Sequence, residues 1–371
     1  MEFKIEKAAL LQGLYLAQGI SDRKSTMPIL ANVLLRTDGK DKLLVAATDL
    51  NVTVTAELPC KVDKDGGLTV AAKHLHEIVK SLPETDIRIS EDKGGVKVAA
   101  DRFDSRMQTL PKEDFPTLPE AGVGSSAMLG RMAIKEMVTK TQFAITGEDT
   151  RYFLNGALFV LRPDSMSLVA TDGHRLALVT CARDGKAKKD AEEDRPILPK
   201  KTLGELGRLL TEGDGDIGYE RGENHLFFTV GERLLISRMI DGQFPAYERV
   251  IPKGNDKHIE FERDRLTSAV RRVALLSNER SRAVKIQVEK GKVDVMSSSP
   301  DVGEAHETLP VDYAGGSMQI CFNAQYMLDF LSAVSCDVVS LDLKDEVSQA
   351  VMKPVGVEGY DYTYVIMPMR V

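Results

Sequence analysis

The stretch LLVAATDL (43–50) and its near copy SLVATDG (167–173) decide how this chain is organised. Each is an apolar run that ends in a Thr-Asp pair, a pattern typical of a buried strand that runs into a tight turn. A third segment, VDVMSSSP (293–300), takes the corresponding place, with two serines instead of Thr-Asp. Matching positions lie 123 to 129 residues apart, about a third of the 371-residue chain. This spacing indicates three copies of one unit.

Two helices accompany this strand in every copy. The helix that opens each unit carries an apolar stripe at positions i, i+4 and i+7, formed by Leu10, Leu14 and Ala17, by Met137, Thr141 and Ala144, and by Leu266, Val270 and Val273. The second helix carries the stripes Leu75, Ile78, Val79 and Leu82, then Leu203, Leu206, Gly207 and Leu210, then Met327, Phe330, Leu331 and Val334. An acidic residue stands before the second apolar position each time, as Glu77, Glu205 and Asp329.

Between the helices the chain reads as short strands of alternating polarity. They are VTVTAEL (52–58), IRIS (87–90), VKVAA (96–100), LFFTV (226–230), RLLISRM (233–239), AVKIQV (283–288) and VVSLDL (338–343). Two amphipathic helices per unit must each cover a sheet face. Turn-rich stretches with Phe-Pro, at 109–122 and 239–254, mark the ends of the first two units. The sequence therefore predicts an α+β fold of three tandem domains, at 1–125, 126–253 and 254–371.

Composition places the chain among ordinary globular proteins, with 43% hydrophobic and 28% charged residues. The first residues are charged with no apolar stretch after them, and no apolar run approaches a membrane span. We therefore expect a soluble, cytoplasmic protein without a membrane partner. Its four cysteines (Cys60, Cys181, Cys321 and Cys336) lie far apart, which favours free thiols over a disulfide framework or a metal site.

The net charge of −7 gives no overall sign of nucleic-acid binding, but the charges are unevenly distributed. Residues 259–292 hold nine basic and five acidic side chains, whereas 293–371 hold three and twelve. Arg265 and Arg272, seven apart, share a helix face away from the apolar stripe. Lys80 and Arg208 occupy matching places on the second helices of the first two units. Each charge alone is typical of a solvated face, but recurrence at matched positions favours a surface that faces an anion.

Three segments carry a specific resemblance: ATDGHRLAL (170–178), DGQFPAYERVIP (241–252) and YTYVIMPMRV (362–371). Together with the threefold repeat, they resemble the bacterial DNA polymerase sliding clamps, the beta subunits of the replicative polymerase. The resemblance covers the whole chain. In that family two subunits close head to tail into a ring, in which two helices of each domain line the inside and β-sheets form the outside. Duplex DNA threads through the ring, and its sequence is not read.

The resemblance implies a homodimeric processivity factor for replication, with no catalytic residue, cofactor or metal. It implies DNA contacts by the loop residues Arg23, Lys24, Arg151 and Tyr152, in addition to Lys80, Arg208, Arg265 and Arg272 on helices. Glu148, in the second loop, would repel phosphate. The subunit junction would pair Lys73, Arg102 and Arg106 of one subunit with Asp301, Glu304 and Glu307 of the other. Leu275 and Leu276, which continue the third opening helix, would lie at this junction.

The family also has a hydrophobic groove between its second and third domains. This groove receives short linear motifs from the polymerase catalytic subunit, the clamp loader, other polymerases and repair proteins. The implied groove residues are Leu154, Thr171, Gly173, His174, Arg175, Leu176, Pro245, Arg249, Val250, Asn323, Tyr326, Val347, Val365, Ile366, Met367, Pro368 and Met369. Methionines suit a surface that repacks around varied side chains. Because Pro368 cannot donate to a strand ladder, the last strand should be an edge or should leave the sheet there.

Two other functions stay open from the sequence. Asp172 and His174 could serve a hydrolase, and the repeats could form a scaffold for proteins only. However, Thr48-Asp49 repeats Thr171-Asp172 without a histidine nearby. The aspartate therefore reads as a turn-forming residue, and we expect no catalytic site.

Overall fold

The structure is a computed structural model that describes residues 1–21, 25–92, 94–122, 125–183, 193–211 and 215–370. The α-helices in these ranges are α1 (Lys7–Ile20), α2 (Ala72–Ser81), α3 (Arg131–Thr141), α4 (Lys200–Leu209), α5 (Arg263–Ala274) and α6 (Ala324–Ala333). The first strands are β1 (Glu2–Glu6), β2 (Asn32–Asp38), β3 (Lys42–Thr48), β4 (Val52–Pro59), β5 (Lys61–Lys64), β6 (Gly67–Ala71), β7 (Asp86–Asp92), β8 (Gly95–Ala100) and β9 (Phe103–Gln108).

The middle of the chain forms β10 (Ser125–Leu129), β11 (Gly156–Leu161), β12 (Ser165–Thr171), β13 (Arg175–Ala182), β14 (Ile197–Pro199), β15 (Ile217–Arg221), β16 (His225–Val230) and β17 (Arg233–Arg238). The last third forms β18 (Lys257–Glu262), β19 (Ala283–Glu289), β20 (Lys292–Ser299), β21 (Gly303–Pro310), β22 (Met318–Asn323), β23 (Val338–Leu343), β24 (Ala350–Pro354) and β25 (Tyr360–Ile366). Every predicted strand and both predicted helices of each repeat are confirmed. None of the helices in the described ranges is long and apolar enough to cross a membrane.

One compact unit comprises Met1–Arg131 and Lys201–Met239. It contains a five-stranded sheet, in the order β5-β1-β7-β8-β9, and an eight-stranded sheet, β10-β15-β16-β17-β4-β3-β2-β6. Helix α1 packs on α2 and on strands β3 and β4. Leu10, Leu14 and Ala17 are buried, so the predicted stripe of α1 faces the core.

The other compact unit comprises Met132–Lys200 and Ile240–Val371. Its sheets have the orders β14-β11-β12-β13-β25-β24-β23-β18 and β21-β20-β19-β22. Helices α5 and α6 pack on each other and bury their predicted stripes. The Phe330 ring of α6 lies 5.3 Å from the rings of both Tyr362 and Tyr364, which anchors α6 to β25.

Antiparallel strand pairs join the repeats. Strand β17 of the second repeat pairs with β4 of the first, with Leu235 opposite Val54. Strand β25 of the third repeat pairs with β13 of the second, with Val365 opposite Leu176. Each eight-stranded sheet is therefore assembled from four strands of one repeat and four of the next. Secondary structure confirms the α+β prediction, and these pairings cross the predicted boundaries near 125 and 253.

Two details differ from the sequence-based expectations. Helix α5 ends at Ala274, and Leu275 and Leu276 lie in a turn in which their N–H groups bond three residues back, to the carbonyls of Arg272 and Val273. Strand β25 is internal, between β13 and β24, so the edge-strand alternative was wrong. The ladder instead ends at Ile366, two residues before Pro368.

Candidate functional site

The candidate groove begins at the tight turn between β12 and β13. Thr171 Oγ1 donates to the Arg175 carbonyl at 2.6 Å and accepts from the Gly173 N–H at 3.1 Å. Asp172 Oδ1 accepts from the N–H groups of His174 and Arg175, at 2.9 and 3.0 Å. The side chains of Thr171 and Asp172 thus replace backbone acceptors and fix the turn.

The first repeat contains the same turn between β3 and β4. Asp49 Oδ1 accepts from the N–H groups of Asn51 and Val52, at 2.9 and 2.7 Å. Leu50 there has φ +75°, and Gly173 in the second repeat has φ +88°. The prediction that the aspartate forms a repeated turn is confirmed.

Arg175 points back from this turn into a buried cluster. Its Nε donates to Asp172 Oδ2 at 3.0 Å, and its Nη1 donates to Asp329 Oδ2 on α6 at 2.5 Å. Its Nη2 donates to the Phe143 carbonyl at 2.7 Å. The Tyr326 ring centroid lies 4.3 Å from the guanidinium carbon. This cluster connects β13 of the second repeat to α6 of the third.

An apolar core lies beneath the turn. It consists of Leu158, Val160, Val169, Leu176, Ile197, Tyr247, Val351 and Val365, with Phe153, Leu178, Ile240, Phe244 and Ile251 packed against it. The segment from 240 to 251 therefore belongs to the same site as β13, β24 and β25. After β25, the N–H of Met367 donates to the His174 carbonyl at 2.9 Å, and that of Met369 to the Cys321 carbonyl at 2.8 Å.

The predicted groove residues all lie in the compact unit formed by Met132–Lys200 and Ile240–Val371, at different depths. Those that are buried are Leu154, Thr171, Arg175, Leu176, Val365 and Ile366. Those that are half-buried are Asn323, Tyr326, Met367, Pro368 and Met369. Those that are exposed are Gly173, His174, Pro245, Arg249, Val250 and Val347. The side chain of Asn323 accepts from the Gln325 N–H and caps α6.

Arg151 was assigned to the DNA surface, but the structure places it beside the groove turn. Its Nη1 lies 3.2 Å from where a Cβ on Gly173 would stand, and its Nη2 donates to the Asp172 carbonyl at 3.4 Å. Its Nε and Nη2 also donate to the Asp149 carboxylate, at 3.0 and 2.7 Å. The side-chain and backbone hydrogen bonds from Arg151 lower the pKa of Asp149 to about 2. Its neighbour Tyr152 is exposed. Sequence reasoning missed this position because the loop returns to the turn only in three dimensions.

Three of the other candidate DNA-binding cations, Arg208, Arg265 and Arg272, are held by carboxylates of the same chain. Arg208 pairs with Glu205 at 3.0 Å and stacks 4.5 Å from the Tyr15 ring centroid. Arg265 pairs with Glu262 at 2.8 Å. Lys80 is exposed and has no carboxylate at ion-pair distance among the described residues. Arg23 and Lys24 lie outside the described residues.

Arg272 and Glu307, predicted for the DNA surface and the subunit junction respectively, contact each other. Arg272 Nε and Nη2 donate to the two oxygens of Glu307, at 2.9 and 2.6 Å. These hydrogen bonds lower the pKa of Glu307. Neither side chain is therefore an uncommitted charge.

The remaining junction candidates lie on helix α2, on strands β9 and β21, and in turns. Lys73 pairs with Glu77 at 3.5 Å on α2, and Arg106 Nη2 on β9 donates to the Asp92 carbonyl at 3.1 Å. Arg102, Asp301 and Glu304 are exposed. Leu275 is 77% exposed, and Leu276 is half-buried.

The hydrolase alternative finds little support in this geometry. Both Asp172 oxygens accept from backbone N–H groups or from Arg175, and no hydrogen bond to the His174 ring occurs among the described residues. Asp172 therefore does not orient this imidazole as a catalytic base requires. Across the described ranges, no three His, Cys, Asp or Glu side chains group closely enough to hold a metal ion.

Comparisons with known proteins agree along the whole chain. Family models of the N-terminal, central and C-terminal domains of the DNA polymerase III beta subunit match residues 1–119, 129–246 and 248–370. The beta sliding clamps of Pseudomonas aeruginosa and Escherichia coli are 38% and 35% identical to it, over 100% of both chains. A crystal structure of the P. aeruginosa clamp bound to griselimycin matches with a TM-score of 0.93, at 37% identity and 100% coverage of both chains.

The repeated turn gives a matched stability test. Gly173→Ala should destabilise the protein by about 1–2 kcal/mol, because a Cβ is strained at φ +88°. Leu50→Gly, at the matching position with φ +75°, should change stability by less than about 1 kcal/mol, because relief of strain offsets the greater freedom of unfolded glycine. Urea unfolding of both variants measures the difference. Equal losses from the two changes would contradict this account of the turn.

Proposed function

The chain belongs to the DNA polymerase III beta subunit family, the sliding clamps that serve as processivity factors in DNA replication, and we propose that two copies close head to tail into a ring around duplex DNA. We assign its three clamp domains to 1–125, 126–253 and 254–371. Such a clamp would work on chromosomal DNA in the bacterial cytoplasm. We propose a tethering role for it, with no catalytic residue, cofactor or metal.

The observation that carries the ring proposal concerns two strands, β9 and β21, which each lie at the edge of a sheet. Strands β4, β13 and β21 occupy the same place in the three repeats, and so do β9, β17 and β25. Within the chain, β17 pairs with β4 and β25 pairs with β13. The remaining members, β9 and β21, are each the outermost strand of a sheet. Pairing β9 of one copy with β21 of another would repeat the two internal junctions, and two such contacts close a dimer.

The internal junctions also supply a register for this contact. Phe103 and Arg233 start equivalent strands after equivalent hairpins, and Leu309 and Leu58 are equivalent buried positions. Carrying the β17–β4 register across would place Arg106 opposite Glu304, and Asp104 opposite His306. Arg106 and Glu304 carry opposite charges, and such a pair stabilises an antiparallel contact.

The helices point to the same contact. Lys201 on α4 donates to the Ile20 carbonyl at the end of α1, at 3.2 Å. In the first repeat, Lys73 on α2 matches Lys201. In the third repeat, Leu276 after α5 matches Ile20. Gly19 in the first repeat matches Leu275 in the third. It lies directly against the Arg208 side chain, which a Cβ on Gly19 would meet. We infer that Leu275 and Leu276 of one copy receive α2 of the other.

Direct affinity for DNA should be weak, since the net charge is −7 and Arg151, Arg208, Arg265 and Arg272 are paired within the chain. Weak, unregistered contacts with phosphates suit a ring that must slide, because phosphates carry no sequence information. We therefore propose that retention is topological, with Lys80 and the loop residues Arg23 and Lys24 as the cations that meet the backbone.

We propose that the candidate groove, which is built from the second and third repeats, docks short linear motifs of partner proteins. These partners are the replicative polymerase catalytic subunit, the clamp loader, other polymerases and repair proteins. The apolar core under β13 and β25, the half-buried Met367 and Met369, and the exposed His174 offer apolar pockets with a polar rim. Arg151 joins this rim from the neighbouring loop. This is the composition expected of a site that binds several related peptides.

A charge swap tests the subunit junction. Arg106→Glu should convert the dimer into monomers, because it places two carboxylates opposite each other in the proposed register. Adding Glu304→Arg should restore the dimer by reversing both charges of the pair. Sedimentation velocity at several concentrations gives the mass. A dimer unaffected by Arg106→Glu, or no recovery in the double variant, would contradict this register.

Retention on DNA tests the ring. Once loaded by a clamp loader, the protein should remain on nicked circular DNA and be lost after the circle is linearised, as measured by gel filtration of the complexes. Raising the salt concentration should weaken direct binding of the free protein steeply but should release little from circles. Equal loss from circular and linear DNA would count against a closed ring.

The methionines test the groove. Met367→Ala with Met369→Ala should weaken binding of a labelled peptide with a polar anchor and a hydrophobic tail at least tenfold, since burial of each apolar side chain contributes about 1.5–3 kcal/mol. Substitution keeps the backbone bonds to His174 and Cys321, which truncation would remove. The control is Met132→Ala, since this methionine is 64% exposed. Equal affinity of both variants would place the groove elsewhere.

A further inference from the structure

Arg175 is a buried cation that already has acceptors within its own chain. Each of its three guanidinium nitrogens has an acceptor within 3.0 Å, on Asp172, Asp329 or the Phe143 carbonyl. The residue is 9% exposed. A cation in this state is poorly placed to bind a carboxylate of an incoming peptide. Its role must therefore be exerted through the groove residues that it contacts.

Those contacts reach both walls of the groove. On one side the guanidinium stacks on Tyr326 of α6, whose backbone carbonyl accepts from the Tyr364 hydroxyl at 2.9 Å. On the other side it bonds Asp172, which holds the N–H of His174. Arg175 thus contacts both Tyr326 and the turn residue that holds the backbone N–H of His174.

Asp329 supplies one of the two carboxylates that pair with the buried guanidinium, and Asp172 supplies the other. Its Oδ2 accepts from Arg175 Nη1 at 2.5 Å, and its Oδ1 accepts from Gln325 Nε2 at 2.8 Å. The Oε1 of Gln325 in turn accepts from Arg282 Nη1 at 3.2 Å. Asp329 is therefore itself held in place, and it presents one oxygen to the groove cluster. A buried guanidinium without such a partner is strongly unfavourable.

Comparison of the repeats ties this pair to the groove. Glu205 stands in the place of Asp329 on α4, but it pairs with Arg208 of its own helix. In the first repeat, Val52 stands in the place of Arg175. An acid at this place is thus common to the repeats. Among the described residues, an arginine that this acid holds across a repeat junction is found at the junction that carries the groove.

We propose that Asp329 is a positioning residue of the peptide groove, which acts through Arg175 to hold Tyr326 and His174 in their binding arrangement. This inference rests on the proposed docking function of the groove. When the Asp329 carboxylate is replaced by an amide, Arg175 keeps Asp172 but loses the charged acceptor that ties it to α6, and the support that the two walls share is weakened.

The test measures binding of a fluorescein-labelled pentapeptide, with a polar first residue and two large apolar residues last, by anisotropy with the full-length protein. Asp329→Asn should weaken binding about tenfold, the usual effect of losing a hydrogen bond between charged groups. In an Arg175→Met background the same change should weaken binding less than about twofold, because the residue through which Asp329 acts is gone. Glu205→Gln, the matched acid on α4, should leave the affinity unchanged.

Unchanged affinity in Asp329→Asn would overturn the proposal. A tenfold loss that persists in the Arg175→Met background would also overturn it, since Asp329 would then act by another route. If Asp329→Asn does not fold, Gln325→Ala keeps the carboxylate and removes its second hydrogen bond. Binding about two- to threefold weaker is then expected, and unchanged affinity refutes the proposal. If the unaltered protein does not bind the peptide, the docking function itself is wrong, and this inference falls with it.

Discussion

The rest of the structure depends on one constraint: the last strand of one repeat pairs antiparallel with a strand of the preceding repeat. It occurs between β17 and β4 and between β25 and β13. An unpaired strand edge leaves its N–H and C=O groups without partners and invites another strand. The same geometry that joins the repeats within the chain leaves β9 and β21 as edge strands, and this is the basis of the proposed dimer contact.

The β25–β13 junction also builds the groove. Pairing of Val365 with Leu176 brings the third repeat onto the second, and the segment from 240 to 251 then packs against the core that both repeats share. The C-terminal residues follow from β25 and bond back to the carbonyls of His174 and Cys321. The proposed docking site would thus be a consequence of how repeats join, and the buried Arg175–Asp329 pair spans the same junction.

Ion pairs within the chain also limit which cations are available to phosphate. Arginines that the sequence offers as phosphate contacts are occupied by Asp149, Glu205, Glu262 or Glu307. A paired cation attracts phosphate weakly, and its remaining field is screened by salt over about 10 Å. This arrangement suits a protein that holds DNA by enclosure, because strong local contacts would oppose sliding.

The sequence alone determined the threefold repeat, both helices and several of the strands of each repeat, and the turn-forming role of Asp172, because periodicity and turn chemistry are local properties. It also carried the family resemblance through contiguous segments. It could not determine that Arg151 lies against Gly173, that Arg272 pairs with Glu307, or that β25 is an internal strand. Those contacts join residues far apart in the chain, so only the tertiary structure, which fixes strand order and the direction of each side chain, decided them.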